Sequence, residues 1–205
     1  MQYLVLVVIL VAIVIILTKR TQKRRRVYFI ENYEFHNLIE TKLKNKYPHL
    51  KDEDIKLVFQ ALRDYFYFCF NAKKKAVAMP SQVVDVAWHE FILMTKEYES
   101  FCYQSFGGFL HHTPTETMKN KTTATQGIKR AWKLACMKEG IDSKTPSKLP
   151  LLFAIDALLN IEDGYKYSLD CKKTNGDYCA SHIGCSSSGC SSGDSSCSSC
   201  SGGGD

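Results

Sequence analysis

Residues 3–17, YLVLVVILVAIVIIL, carry no charge and run directly into KRTQKRRR. With its flanks the run makes about 17 apolar residues, at the short end of the ~17–25 that cross a bilayer as a helix. A secretory signal would place basic residues before the run and a small-residue cleavage site after it, whereas here the basic cluster follows. Lys and Arg beside a span are retained on the cytoplasmic side, so the expected arrangement is a single-pass anchor in the cell inner membrane with a cytoplasmic C-terminal domain. The flank residues Lys19, Arg20, Lys23, Arg24, Arg25 and Arg26 are also placed to rest on anionic lipid headgroups.

That flank explains most of the charge. The 205-residue chain has a formal net charge of +6, and six of its 27 basic residues sit in the flank. What remains is near neutral, which argues against nucleic acid as a partner, because a nucleic-acid binder spreads its charge over a folded face. The chain divides into an anchor (1–18), a basic juxtamembrane segment (19–26), a helical domain (27–170) and a Cys/Ser/Gly-rich tail (171–205).

Within the domain, apolar residues recur at helical spacing and no segment alternates as a strand would. Phe29, Ile30, Tyr33, Leu38 and Ile39 mark one amphipathic helix. Ile55, Val58, Phe59, Leu62, Tyr65, Phe66 and Cys69 mark a second, with Asp52 suited to its positive N-terminus. NAKKKAVAMP then breaks the pattern, and Ser81 after Pro80 is a candidate N-cap for a longer third helix over 82–104, ended by Gly107 and Gly108. A fourth helix is expected over 124–139, with Ile128, Trp132 and Ala135 inward and Gly140 as its stop, and a fifth within LPLLFAIDALLN. The expected fold is therefore all-α, about five helices behind a transmembrane helix. The tail has no periodic apolar residues, cannot bury enough surface to offset its ordering entropy, and is expected to be disordered.

The chemistry concentrates in VVDVAWHEFILMTKEYESFCYQSFGGFLHHTP, residues 83–114. At 100° per residue Val84, Trp88, Phe91, Ile92, Thr95 and Cys102 form a core stripe, and Tyr98, Phe101 and Trp132 read as packing residues. Asp85 and His89, four apart, share the stripe's margin, where they form either an ordinary helix pair or a carboxylate that orients an imidazole. His111 and His112 follow the Gly107-Gly108 turn, and a reversal there would return at least one of them towards His89. Three side chains from Asp85, His89, His111 and His112 suffice for an open site holding zinc or another divalent metal.

No established motif fits. Leu93 stands where HExxH needs its second histidine, Glu90 directly follows His89 where zinc deaminases need H-x-E, and Cys102 lies on the core stripe as an inert thiol. The nine cysteines divide into Cys69, Cys102 and Cys136 in the helical part and six towards the end. In the cytoplasm the latter are expected to be reduced, with Cys185, Cys190, Cys197 and Cys200 as candidate thiolate ligands for zinc or copper(I).

The run 79–114 resembles the bacterial branch of the glycine-rich domain-containing protein-like family, through Asp85, Trp88-His89, Tyr98, Gly107 and His111 or His112. The resemblance implies a helical domain and carries over no catalytic residue. The expected function is a membrane-anchored interaction or scaffold module with protein partners. The second reading is a metal-dependent hydrolase or redox enzyme using Asp85, His89 and His112.

Overall fold

A computed structural model describes residues 2–112 and 121–169, together with 178–179 and 183. Among them are seven helices, α1 (Gln2–Glu31), α2 (Asn37–Lys46), α3 (Asp52–Asn71), α4 (Gln82–Leu93), α5 (Thr95–Phe106), α6 (Lys121–Glu139) and α7 (Leu151–Leu158). Two short parallel strands, β1 (Tyr167–Ser168) and β2 (Tyr178–Cys179), pair Tyr167 with Tyr178 and Ser168 with Cys179. The all-α expectation holds.

Two expected helices divide, and α1 is longer than the expected anchor: beyond residue 18 it runs unbroken through the basic flank to Glu31. No Gly or Pro interrupts residues 3–31, and Lys, Arg and Gln are good helix formers, so nothing local ends the helix. By length and composition α1 can cross a membrane; its apolar part is wholly exposed, with a mean hydropathy of 2.6. The helix expected from Phe29 to Ile39 is instead divided between the end of α1 and the start of α2. The Asn32 side-chain amide donates to the Tyr28 carbonyl (2.8 Å) and closes α1, while His36 Nδ1 accepts from the Leu38 N–H (3.0 Å) and opens α2. The third helix is also two helices, because Met94 leaves helical geometry (φ −83°, ψ 64°). This shifts the phase of the stripe, so Thr95 is exposed, although Val84, Trp88, Phe91 and Cys102 are buried as expected. The bend lets Phe91 meet both Tyr98 (5.2 Å between centroids) and Phe101 (5.4 Å).

Those rings belong to an aromatic core that also takes in Phe66, Trp88, Tyr33 and Phe35. A second part of the core forms where Trp132 of α6 meets Phe153 of α7 (5.1 Å). The anchor helix enters this core at its far end, where Ile30 is fully buried and Tyr33, just beyond it, packs on Phe101 (4.6 Å).

The start of α4 is held from a distance. Ser81 is the N-cap and accepts from Val84 N–H (3.3 Å), as expected. The buried Asp156 of α7 adds a second acceptor, taking hydrogen bonds from Ser81 Oγ (2.7 Å) and from the backbone N–H groups of Gln82 (2.7 Å), Val83 (3.2 Å) and Tyr165 (2.9 Å). A carboxylate at this end of a helix satisfies donors that have no partner within the helix and meets the positive end of its dipole. Replacing Asp156 with Ala leaves several buried donors unsatisfied. The expected loss is at least about 3 kcal/mol in urea unfolding of the detergent-solubilised full chain, followed by tryptophan fluorescence, with a smaller loss for Asp156→Asn. A loss below about 1 kcal/mol for Asp156→Ala would show that the carboxylate is dispensable.

Candidate metal centre

The site begins with a reversal. Gly107 caps α5 in the left-handed conformation (φ 75°), donating its N–H to the Tyr103 carbonyl (3.0 Å). The Arg26 guanidinium lies against Gly107, 2.8 Å from where a Cβ would stand, and the left-handed turn itself favours glycine. The chain then runs back along α5 and is tied down. Trp88 Nε1–H donates to the Tyr98 hydroxyl (3.2 Å), which in turn donates to the Leu110 carbonyl (2.5 Å). Phe109 packs on the Tyr98 ring (5.3 Å).

The tie delivers His112 to α4. His112 Nε2 lies 3.0 Å from Asp85 Oδ1, and His89 Nδ1 lies 3.2 Å from Asp85 Oδ2. The two imidazole centroids are 4.3 Å apart, and the edge of the Trp88 indole packs against His112 at 4.4 Å. One donor atom from each of Asp85, His89 and His112 lies within 4.8 Å of the others. The cluster is open on one side: the His89 side chain is 49% exposed, whereas Asp85 is 24% and His112 14%. His111 is outside this cluster, exposed and tilted against the Phe109 ring (4.9 Å between centroids). Of the four candidates, three converge and His111 stands apart.

The basic flank lies along α1, where Lys19 to Arg25 are exposed and Arg26 is partly covered against Gly107. The tail candidates Cys185, Cys190, Cys197 and Cys200 lie outside the described residues. Cys179 is disulfide-bonded, which departs from the expectation of reduced thiols in this part of the chain. The helical-domain cysteines are suited to packing. Burial pushes the Cys69 thiol up to about 12 against the opposing pull of the Tyr65 hydroxyl, and pushes Cys136 up to about 11. Burial raises Cys102 as well, offset in part by the Leu110 backbone and Tyr98. Such thiols are protonated at neutral pH and poor nucleophiles.

Sequence reasoning assigned Trp88 and Tyr98 to the core, which they occupy, and missed the tie they form. The available clue was chemical: a buried indole N–H or phenol O–H almost always finds a partner. Burial raises the Tyr98 phenol above its ordinary range, so the hydroxyl stays a donor. Tyr98→Phe should therefore speed amide exchange across residues 107–112 and lower stability by about 1–2 kcal/mol. Unchanged exchange in the loop would mean that other contacts hold it.

A family model described as UCP032817-like matches residues 25–185. No curated protein and no solved structure matches the chain. The match replaces the resemblance to the glycine-rich domain-containing protein-like family. The residues that carried that resemblance are placed here as Gly107 at the reversal, Trp88 and Tyr98 in the tie, and Asp85, His89 and His112 in the cluster. The chain belongs to the UCP032817-like family, whose model covers residues 25–185.

Proposed function

We propose that this protein is a membrane-anchored metal-binding domain in which Asp85, His89 and His112 hold one divalent ion. The observation that carries the reading is the convergence of two imidazoles and one carboxylate, from α4 and the returning loop, within 4.8 Å beside an exposed edge. Two His and one carboxylate suit zinc or iron(II), and three protein ligands leave coordination positions for a substrate. A bound ion of this kind supplies Lewis acidity at neutral pH, the starting point for hydrolytic or redox chemistry. Without an ion, Asp85 is hydrogen-bonded to His112 and lies 3.2 Å from His89 Nδ1, so protons and metal compete for one centre and metal affinity falls as the pH falls.

The charge pattern of α1 supports an inner-membrane anchor with the domain in the cytoplasm. The disulfide at Cys179 pulls towards an oxidising compartment, where such bonds persist.

A second reading, an interaction or scaffold module without metal, is favoured by one observation. Both Asp85 carboxylate oxygens already face an imidazole nitrogen at hydrogen-bond distance, so the cluster is complete as a latch for the loop. Metal titration separates the two. The full chain with Cys185, Cys190, Cys197 and Cys200 changed to Ser, titrated with cobalt(II) or zinc, should bind one equivalent. Loss of an orienting partner alone costs 10–100-fold in affinity, so Asp85→Asn and His112→Ala should each weaken binding by about a hundredfold or more. His111→Ala should bind as the parent does. No saturable binding by the parent, or equal binding by all variants, would leave the latch.

A further inference from the structure

The loop after α3 carries Lys73, Lys74 and Lys75, all exposed and none paired with an acid among the described residues. Lys73 and Lys74 both adopt the left-handed region (φ 49° and 67°), which L-residues enter reluctantly and seldom in succession. The turn is clamped on either side. Lys75 N–H donates to the Ala72 carbonyl (3.1 Å), the Arg130 guanidinium donates to the Ala76 carbonyl, and Tyr65 OH donates to the Val77 carbonyl (3.0 Å). Three adjacent cations are thus held outward by a fixed turn.

Their position follows from how α3 lies against α1. Phe59 meets Phe35 (5.0 Å), Arg63 donates to the Tyr33 carbonyl (3.1 Å), and Lys138 joins Asp64 (2.9 Å) to Glu31 (3.3 Å). Phe35 and Tyr33 lie just beyond the end of α1, Glu31 lies at it, and α3 also packs on α1 itself. Each advance along α3 is therefore a step back through the chain to the end of α1 and then along it. Continued at the same rate, this antiparallel course brings the lysine loop level with about residue 22 of α1, roughly 8 Å along the helix from Leu17. An oblique crossing of about 50° shifts the loop outward by only several ångströms. The headgroup layer is about 5–8 Å deep on each side of the hydrocarbon, and surface potential reaches a further ~8 Å at physiological salt. The loop therefore lies within reach of the headgroups.

We propose that Lys73, Lys74 and Lys75 form a second lipid-facing basic element, which docks the lower end of the domain on anionic headgroups beside the Lys19 to Arg26 flank. The proposal rests on α1 crossing the membrane with the domain on an anionic leaflet; it is independent of metal binding. It also gives the domain a fixed attitude. Ile30 is in the core and Arg26 lies against Gly107, so no flexible linker separates the span from the loop that carries His112. A domain held at two basic points presents its Asp85, His89 and His112 edge at a set angle to the bilayer.

The test uses the full chain in nanodiscs of phosphatidylcholine alone or with about one-third phosphatidylglycerol. Three cations near an anionic surface shift the docked population on the order of a hundredfold. Amide exchange over residues 72–77 should accordingly slow at least tenfold in the anionic discs, and high salt should restore it. Changing all three residues, by Lys73→Gln, Lys74→Gln and Lys75→Gln, should remove the lipid dependence with helical content and cobalt binding unchanged. Equal exchange in the two lipids, or slowing that persists in the triple variant, would overturn the proposal. If docking is seen without metal binding, only the metal reading fails; the reverse result removes only the docking.

Discussion

The hydrogen-bonded tie from the Trp88 indole through the Tyr98 hydroxyl to the Leu110 carbonyl is what makes a site of this sequence. Without it, Asp85 and His89 are an exposed-margin pair on one helix, worth a few tenths of a kcal/mol. With it, a third side chain, His112, arrives from 27 residues' sequence separation and the pair becomes a cluster. Two conditions make the tie possible. The bend at Met94 turns α5 so that Tyr98 faces Trp88, and left-handed Gly107 sends the chain back along α5 rather than onward. Each link is buried or nearly so, where a hydrogen bond costs more to leave unmade than in water.

The same geometry joins the site to the anchor. Helix α1 continues past its apolar run without a break, and its last turns supply core residues and the ion pair between Glu31 and Lys138. Lys138 is partly buried, which alone would lower its affinity for a proton, but Asp64 and Glu31 more than reverse that and also hold it over the Tyr67 ring (4.5 Å). The ammonium is therefore charged at every physiological pH. From the other side, Asp156 fixes the start of α4, the helix that carries Asp85 and His89. Asp85 and His89 thus stand on a helix whose start is fixed from α7.

What could be read from the sequence was what depends on near neighbours. The helical periodicity, the Ser81 cap, the stop at Gly107 and the i,i+4 pairing of Asp85 with His89 all follow from spacing and side-chain type. Features set by distant partners were not readable. Nothing in MTKEY marks a break, and the bend at Met94 goes together with contacts of Phe91 to Tyr98 and Phe101 that the local sequence does not show. The choice between His111 and His112 depends on how Leu110 is held, and the role of Asp156 depends on donors more than 70 residues away. The continuity of α1 was obscured by the abrupt change from apolar to basic residues, a change of solvent rather than of backbone preference. The pattern Asp, Trp-His, Tyr, Gly, His pointed to a different family, and the family match overturned it.

A metal held by Asp85, His89 and His112 belongs to the helical domain and not to the cysteine-rich tail. X-ray absorption at the zinc edge of the full chain, loaded with one equivalent, separates the two. A helical-domain centre gives a first shell of nitrogen and oxygen at about 2.0–2.2 Å with the outer-shell pattern of two imidazoles. A dominant sulfur shell near 2.3 Å would place the metal on the cysteines and contradict it.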